Sequence, residues 1–267
     1  MSSNNKMASL AVVDYEALAN KDAGEIQRLV TACQTVGMFY LNLGSSNMST
    51  VLEDVPAIFH TGHAFFNLPR NGEEKTQSAR EGMERGYHAG KGFEYYEIPR
   101  DEYQGGKWLL PATFEPEKER ITRTMDCFHR AIQTVIAELS AAVGISIPEI
   151  SDDAAMPSDT ALKLLYKPPM HEAGHVIHPW HTDFGLATLL WYDEVTTQIP
   201  VYDKEGKQTD DWETVPVVDG AVLVNIADEL AARSGGRLHS TVHRVVAPPG
   251  PKRVRNGMIY LLRPYKA

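Results

Sequence analysis

The sequence predicts a mixed, mainly β fold, with a helical front and a β-barrel or sandwich behind it. Three observations carry this. In the first 143 positions, apolar residues recur at spacings of three and four, as a helix burying one face requires. After about residue 160 that spacing gives way to short apolar runs, most of them separated by Gly, Pro, Asp or Asn. With 267 residues, 43% of them hydrophobic, the chain can bury the core of one large domain or two small ones.

The elements follow in order. "LAVVDYEAL" (10–18) reads as a short opening strand. Asp22, with Glu25 three residues on, has the form of a helix N-cap. Ile26, Leu29, Val30, Cys33 and Val36 then step at helical spacing, and Gly37 can end the helix. "GMFYLNL" is the next strand, and Val51, Leu52, Val55, Ile58 and Phe59 mark a second helix. Residues 84–114, rich in Gly, Tyr and Pro, read as loop or irregular strand. A long helix is expected from about Pro116 to Val143, because Ile121, Met125, Phe128, Ile132, Val135, Ile136, Leu139 and Val143 lie on one face and Gly144 follows as a stop. The runs "ALKLLY", "GLATLLWY", "IPVYD", "AVLVNI", "TVHRVVA" and "GMIYLL" are the expected strands of the β half.

Charge and composition exclude several classes. A net charge of −9 argues against a nucleic-acid or anionic-membrane surface. Two cysteines, Cys33 and Cys127, cannot form a disulfide scaffold, so a reducing, cytoplasmic setting is expected. The polar N-terminus lacks a signal core, and no run of about 18 apolar residues is present to span a membrane. The expected partner is a small molecule, with a homo-oligomer left open.

One stretch has metal-ligand chemistry twice over. In "HEAGHVIHPWHTDFG" (171–185), His171, Glu172 and His175 fit HExxH, and His181 falls where a third zinc histidine would stand. That reading needs a helix to bring residues i and i+4 together. Pro168 and Pro169 stand just before the HExxH motif, Pro179 just after it and Gly174 inside it, so the helix is not expected. His171, Glu172, His175 and His178 are then expected in a loop. His181 and Asp183 instead fit HxD, which a strand can aim to one side. His243 in "STVHRVV" is the best third ligand, 243 − 181 = 62 residues later. Two histidines and a carboxylate make a facial triad that leaves open positions on Fe(II). HxD alone is a weak signal that reads rather as a cap or surface turn.

The surroundings give the triad its weight. "HPWHTDFGLATLLWYD", "DGAVLVNIADEL", "GRLHSTVHRVVAPPG" and "RNGMIYLLRP" occur in that order, after "VVDYEAL", "CQTVGMFYL", "FFNLPRNGEEK" and "GYHAG". Together they resemble the isopenicillin N synthase-like family of Fe(II)/2-oxoglutarate-dependent oxygenases over nearly the whole chain. The resemblance implies a distorted double-stranded β-helix (jelly roll) core with N-terminal and supporting helices. It divides the chain into an N-terminal helical and strand region, 1–100, and an oxygenase core, 101–267, in one compact unit.

The resemblance also implies residue roles. His181, Asp183 and His243 match the iron ligands. The family couples decarboxylation of 2-oxoglutarate, with O2, to oxidation of a substrate C–H bond. An Arg-x-Ser on a late strand holds the far carboxylate of 2-oxoglutarate. Register with the strand ending in "LLRP" selects Arg255, and counting forward from His243 selects Arg253 instead. Three positions depart from the pattern: Gly257 stands where the family has serine, Leu165 where it has asparagine, and Lys167 where it has tyrosine. Tyr166 or Lys167 is expected to contact the co-substrate. Tyr95, Tyr96, Trp180 and Phe184 are candidates for the substrate pocket. The family usually continues into a C-terminal helical segment, so an open pocket, another lid or a partner subunit is expected. The expected function is oxidation of a small metabolite in natural-product biosynthesis. The alternatives are an iron oxidase that does not use 2-oxoglutarate, a zinc hydrolase and a non-catalytic barrel.

Overall fold

The computed structural model describes residues 6–80, 85–148, 158–169, 172–203, 205 and 207–266. Along the chain run β1 (Val12–Asp14), α1 (Tyr15–Ala19), α2 (Ala23–Thr35), β2 (Met38–Asn42), α3 (Val51–Phe66), α4 (Glu73–Ser78), β3 (Gly86–Gly90), β4 (Phe93–Pro99), α5 (Arg100–Gln104), a 3-10 turn (Ala112–Glu117) and α6 (Lys118–Val143). The later half holds β5 (Ala161–Lys167), β6 (Val176–His181), β7 (Ala187–Tyr192), β8 (Thr197–Tyr202), β9 (Gln208–Thr214), β10 (Ala221–Ile226), α7 (Asp228–Arg233), β11 (His243–Val246) and β12 (Arg255–Leu262).

The strands form two sheets. The larger has the order β1-β2-β10-β7-β12-β5-β4-β3 and the smaller β6-β11-β8-β9. Two cores result. The larger lies between the helices and one face of the eight-stranded sheet, where Ile121, Phe128, Ile132 and Leu139 of α6 meet Leu164, Leu189, Val224 and Met258. The smaller joins the other face to the second sheet, through Tyr40, Leu190, Leu223 and Ile199. This is the two-sheet frame of a double-stranded β-helix backed by helices.

Local chemistry explains several boundaries. The Asp22 carboxylate accepts from the Glu25 amide at 2.9 Å and starts α2. Gly37 ends the turn after α2 at φ +78°, where a Cβ would lie 1.9 Å from the His239 carbonyl oxygen, so only glycine fits. Gly144 stops α6 in the left-handed region.

Three expectations are corrected, and two strands not expected from the sequence are present. The opening strand ends at Asp14, because its carboxylate accepts from the Ala17 amide at 2.9 Å and converts 15–19 into a helix. Residues 86–99 are a regular hairpin with five paired positions, within the stretch read as loop or irregular strand. His178 belongs to β6, not to a loop. β6 escaped notice because Pro179 interrupts it; as an edge strand of the small sheet it tolerates the missing N–H. The opposite edge, β9, is too polar to show an apolar pattern.

The "NLPRNGEEK" stretch hides a buried cation. Lys75 is wholly buried and donates to the carbonyls of Phe66 and Leu68, at 2.7 and 2.8 Å, and to Glu94 at 2.7 Å. Tyr87 and Arg70 also donate to Glu94. Burial alone would raise the Glu94 carboxyl, but these donors hold it below the ordinary range. The cluster fixes the end of α3 and α4 against β4, the neighbour of β5. Among the described residues, no helix is long and apolar enough to cross a membrane.

Replacing Lys75 with Met should cost about 3 kcal/mol of stability at pH 7, measured by urea unfolding, because it strands a buried carboxylate. Glu94 has a depressed folded pKa, so its contribution is present above its unfolded value of about 4.3 and lost as pH falls through the folded value. The difference between variant and wild type should therefore narrow in acid.

Candidate metal and co-substrate site

The pairing of β6 with β11 sets His181 directly opposite His243. The register then slips. His178 pairs with Val245, so three steps on β6 match two on β11. The extra residue is a bulge at Pro179–Trp180. In a regular strand, residues 178 and 181 would face opposite ways; the bulge brings their rings to 4.2 Å. It also turns Trp180 outward, leaving it 68% exposed.

Asp183 follows β6 in a tight turn. Its Oδ1 lies 3.7 Å from Nε2 of His181 and 3.7 Å from Nε2 of His243. Each residue offers one ligand atom, and the three atoms lie within 4.8 Å of one another. Nδ1 of His181 bonds the Pro179 carbonyl at 2.9 Å, and Nδ1 of His243 bonds the Thr241 carbonyl at 3.1 Å. A carbonyl only accepts, so both Nδ1 atoms carry the proton and both Nε2 lone pairs face the cluster. Asn225, fully buried, donates Nδ2 to Oδ2 of Asp183 at 2.7 Å, which leaves Oδ1 for a metal.

The protonation states also suit a cation. Burial pushes His243 below the ordinary histidine range against the opposing charge of Asp183, so it is neutral near pH 7. Burial would raise Asp183, but His243 and the Asn225 hydrogen bond hold it below the ordinary carboxylate range. A neutral imidazole and an ionised carboxylate are what metal ligation requires.

Helix α7 latches the turn. The Asp228 carboxylate accepts from Thr182 at 2.8 Å and from Ser240 at 2.6 Å, and the Asp228 amide donates to the Asp183 carbonyl at 3.0 Å. Gly185 lets the chain pass the Leu262 carbonyl, which a Cβ would approach to 2.9 Å. Asn225 and Asp228 were not singled out from the sequence. A polar residue inside the apolar run "AVLVNI" was the one available signal.

A second cluster lies along β12. Arg255 is buried, with Nε donating to Thr196 Oγ1 at 2.9 Å and the guanidinium over the Tyr192 ring at 4.4 Å. Its Nη1 is buried without a hydrogen-bond partner. A buried charged donor left open costs several kcal/mol unless a ligand completes it. Arg253, by contrast, is exposed and paired with Glu194.

The strand alternation sorts the remaining candidates. Lys167 is the register partner of Arg255 and lines the same cleft. Tyr166 is not brought to Arg255: it lies on the helix side of β5, stacked on Phe66, with its hydroxyl donating to Asn67 at 3.3 Å. Tyr96 is likewise helix-side core, against Phe65 and Phe114. Tyr95 points the other way, beneath Lys163 and stacked on His88. Phe184 is 69% exposed and, with Trp180, flanks the triad in sequence.

The zinc reading does not survive the backbone. His171 lies outside the described residues. Glu172 is exposed and pairs with Lys252 at 2.6 Å, and the chain from 172 runs through a turn into β6 rather than a helix.

Two histidines and a carboxylate at one end of a two-sheet barrel, with a buried unpaired arginine in the same frame, define a non-haem iron oxygenase class of site. Residues 158–264 match the 2OG-Fe(II) oxygenase superfamily, and residues 10–98 match the non-haem dioxygenase in morphine synthesis N-terminal family. The chain belongs to the 2OG-Fe(II) oxygenase superfamily. It is 29% identical over 256 residues to oxidoreductase vrtI of Penicillium aethiopicum, covering 90% of this chain but only 60% of that relative's length. It is 34% identical over 145 residues to the 2-oxoglutarate-dependent dioxygenase iboH of Amanita muscaria, covering 52% of this chain and 68% of iboH. Its fold matches that of the dioxygenase for auxin oxidation in rice, with TM-score 0.72, 20% identity, and 96% and 84% of the two chains covered.

Asn225→Ala should weaken Co(II) or Fe(II) affinity about ten-fold, read by anaerobic titration, while the circular dichroism spectrum stays that of wild type.

Proposed function

We propose that the protein is an Fe(II)- and 2-oxoglutarate-dependent oxygenase that oxidises a C–H bond of a small organic metabolite, by hydroxylation, desaturation or ring rearrangement, in natural-product biosynthesis. The observation that carries this reading is the joint presence of the His181–Asp183–His243 cluster and the unpartnered Nη1 of Arg255. His181, Asp183 and His243 would hold the iron, and Arg255 the far carboxylate of 2-oxoglutarate.

Bound there, Fe(II), 2-oxoglutarate and O2 supply the oxidising power for an unactivated C–H bond, with succinate and CO2 as co-products. The chain's own residues do the positioning. Asn225 and the two backbone carbonyls on Nδ1 orient the ligands. The guanidinium is held by Thr196 and Tyr192, so the co-substrate would be bound in one direction. Trp180 and Phe184, both exposed and next to ligands in sequence, would contact substrate and exclude water, and Tyr95 would line the pocket. Residues 1–100 and 101–267 act in this reading as one unit. The acidic balance supports a small-molecule partner over nucleic acid or membrane, and the thiols Cys33 and Cys127 support a reducing, cytoplasmic setting.

Anaerobic addition of Fe(II) and 2-oxoglutarate should produce a weak charge-transfer band toward the red end of the visible spectrum. In air, succinate release should rise with the right substrate. Arg255→Met should raise the Kd for 2-oxoglutarate about 100-fold and leave Fe(II) affinity unchanged. Substrate-dependent O2 uptake indifferent to 2-oxoglutarate would contradict the reading.

A further inference from the structure

The cleft at Arg255 holds more positive charge than one carboxylate balances. Its described lining residues include Lys91, Lys167, Lys252, Arg253 and Arg255 and no acidic side chain. Two of these cations are neutralised from outside the cleft, Lys252 by Glu172 and Arg253 by Glu194. Lys91 is exposed at the mouth. Arg255 and Lys167 remain, side by side on adjacent strands. Neither has an ion pair with a described residue.

Lys167 is not a solvated surface lysine. Burial, and then the neighbouring Arg255, push its ammonium down to about 8, so it is still mostly charged at pH 7. It also lies within electrostatic reach of His178, whose ring lies 4.2 Å from that of His181. Lys167 therefore has Arg255 on one side and the metal-cluster end of the barrel on the other. A partly buried cation beside a second one is costly unless a ligand brings an anion to it.

On the β12 side of Arg255, position 257 offers no side-chain donor. Gly257 faces the same side of β12, and the Tyr192 ring fills the space beyond it, 3.3 Å from where a Cβ would stand. The polar groups next to the guanidinium are thus the Thr196 hydroxyl, which already accepts from Nε, and a second charge, Lys167. One carboxylate on Arg255 leaves Lys167 unbalanced; two carboxylates at that end balance both.

We propose that Lys167 forms a second carboxylate subsite beside Arg255, so that the co-substrate pocket binds tricarboxylates more tightly than dicarboxylates of the same backbone length. The inference rests on Arg255 being the anchor for a carboxylate. It makes tricarboxylate metabolites competitors of 2-oxoglutarate.

The test is anaerobic calorimetry on the full chain loaded with Fe(II), using propane-1,2,3-tricarboxylate and glutarate as probes. 2-Oxoglutarate is titrated separately. Wild type should prefer the tricarboxylate by about ten-fold or more. Lys167→Met should erase that preference and leave glutarate within about two-fold, whereas Lys167→Arg should keep it. Removal of iron by the tricarboxylate cannot imitate this, because the metal ligands are intact in Lys167→Met. No preference in wild type, a preference that survives Lys167→Met, or equal loss of both probes would overturn the subsite. A wild-type protein that ignores 2-oxoglutarate yet shows the preference would sink the proposed function and leave the subsite standing.

Discussion

The proposed metal site depends on the antiparallel pairing of β6 with β11. Sixty-two residues (243 − 181) separate His181 from His243, and their register brings the two rings to 4.3 Å. The bulge at Pro179–Trp180 decides which β6 side chains face the barrel. Asp183 is then placed by the turn that α7 latches through Asp228. The site is assembled by one edge strand, and an edge strand is where a proline and a bulge cost least.

The eight-stranded sheet divides stability from chemistry by its pleat. On β5, Leu162, Leu164 and Tyr166 face the helices, while Lys167 faces the cleft. On β12, Met258 and Tyr260 join the helix-side core, while Arg255 and Ile259 face the second sheet and the cleft. Asn256 serves the helix side, bonded to His63 of α3 at 2.9 Å and to Asp193 at 2.7 Å. A one-residue slip of β12 against β5 would exchange these roles completely, so the hydrophobic packing of α6 also specifies where the arginine points.

Much of this was legible in the sequence. Helices α2, α3 and α6 stand out because each has one apolar stripe and, for α2 and α6, a capping or stop residue. The HxD motif at His181 was weak by itself, and the resemblance of the surrounding runs to a known family pointed to His181, Asp183 and His243 together. Other features were hidden for physical reasons. β6 carries a proline and β9 almost no apolar residue. Tyr95–Tyr96 and Tyr166–Lys167 are adjacent pairs, and a short run does not say which member faces the barrel. Asn225, Thr196 and Tyr192 act on residues far along the chain, so their partners appear only when the strands are paired. The choice between Arg253 and Arg255 likewise turned on burial, which the count along the chain could not supply.

The central claim is that one Fe(II) is held by His181, Asp183 and His243 and by nothing in the preceding histidine-rich stretch. Its most direct measurement is an anaerobic Fe(II) titration of metal-free protein, comparing wild type, Asp183→Ala, His243→Ala and the double variant Glu172→Gln/His175→Ala. The account predicts one tightly bound iron per chain in wild type and in the double variant, and its loss in the other two. Tight binding that survives Asp183→Ala, or that disappears only in the double variant, would contradict it.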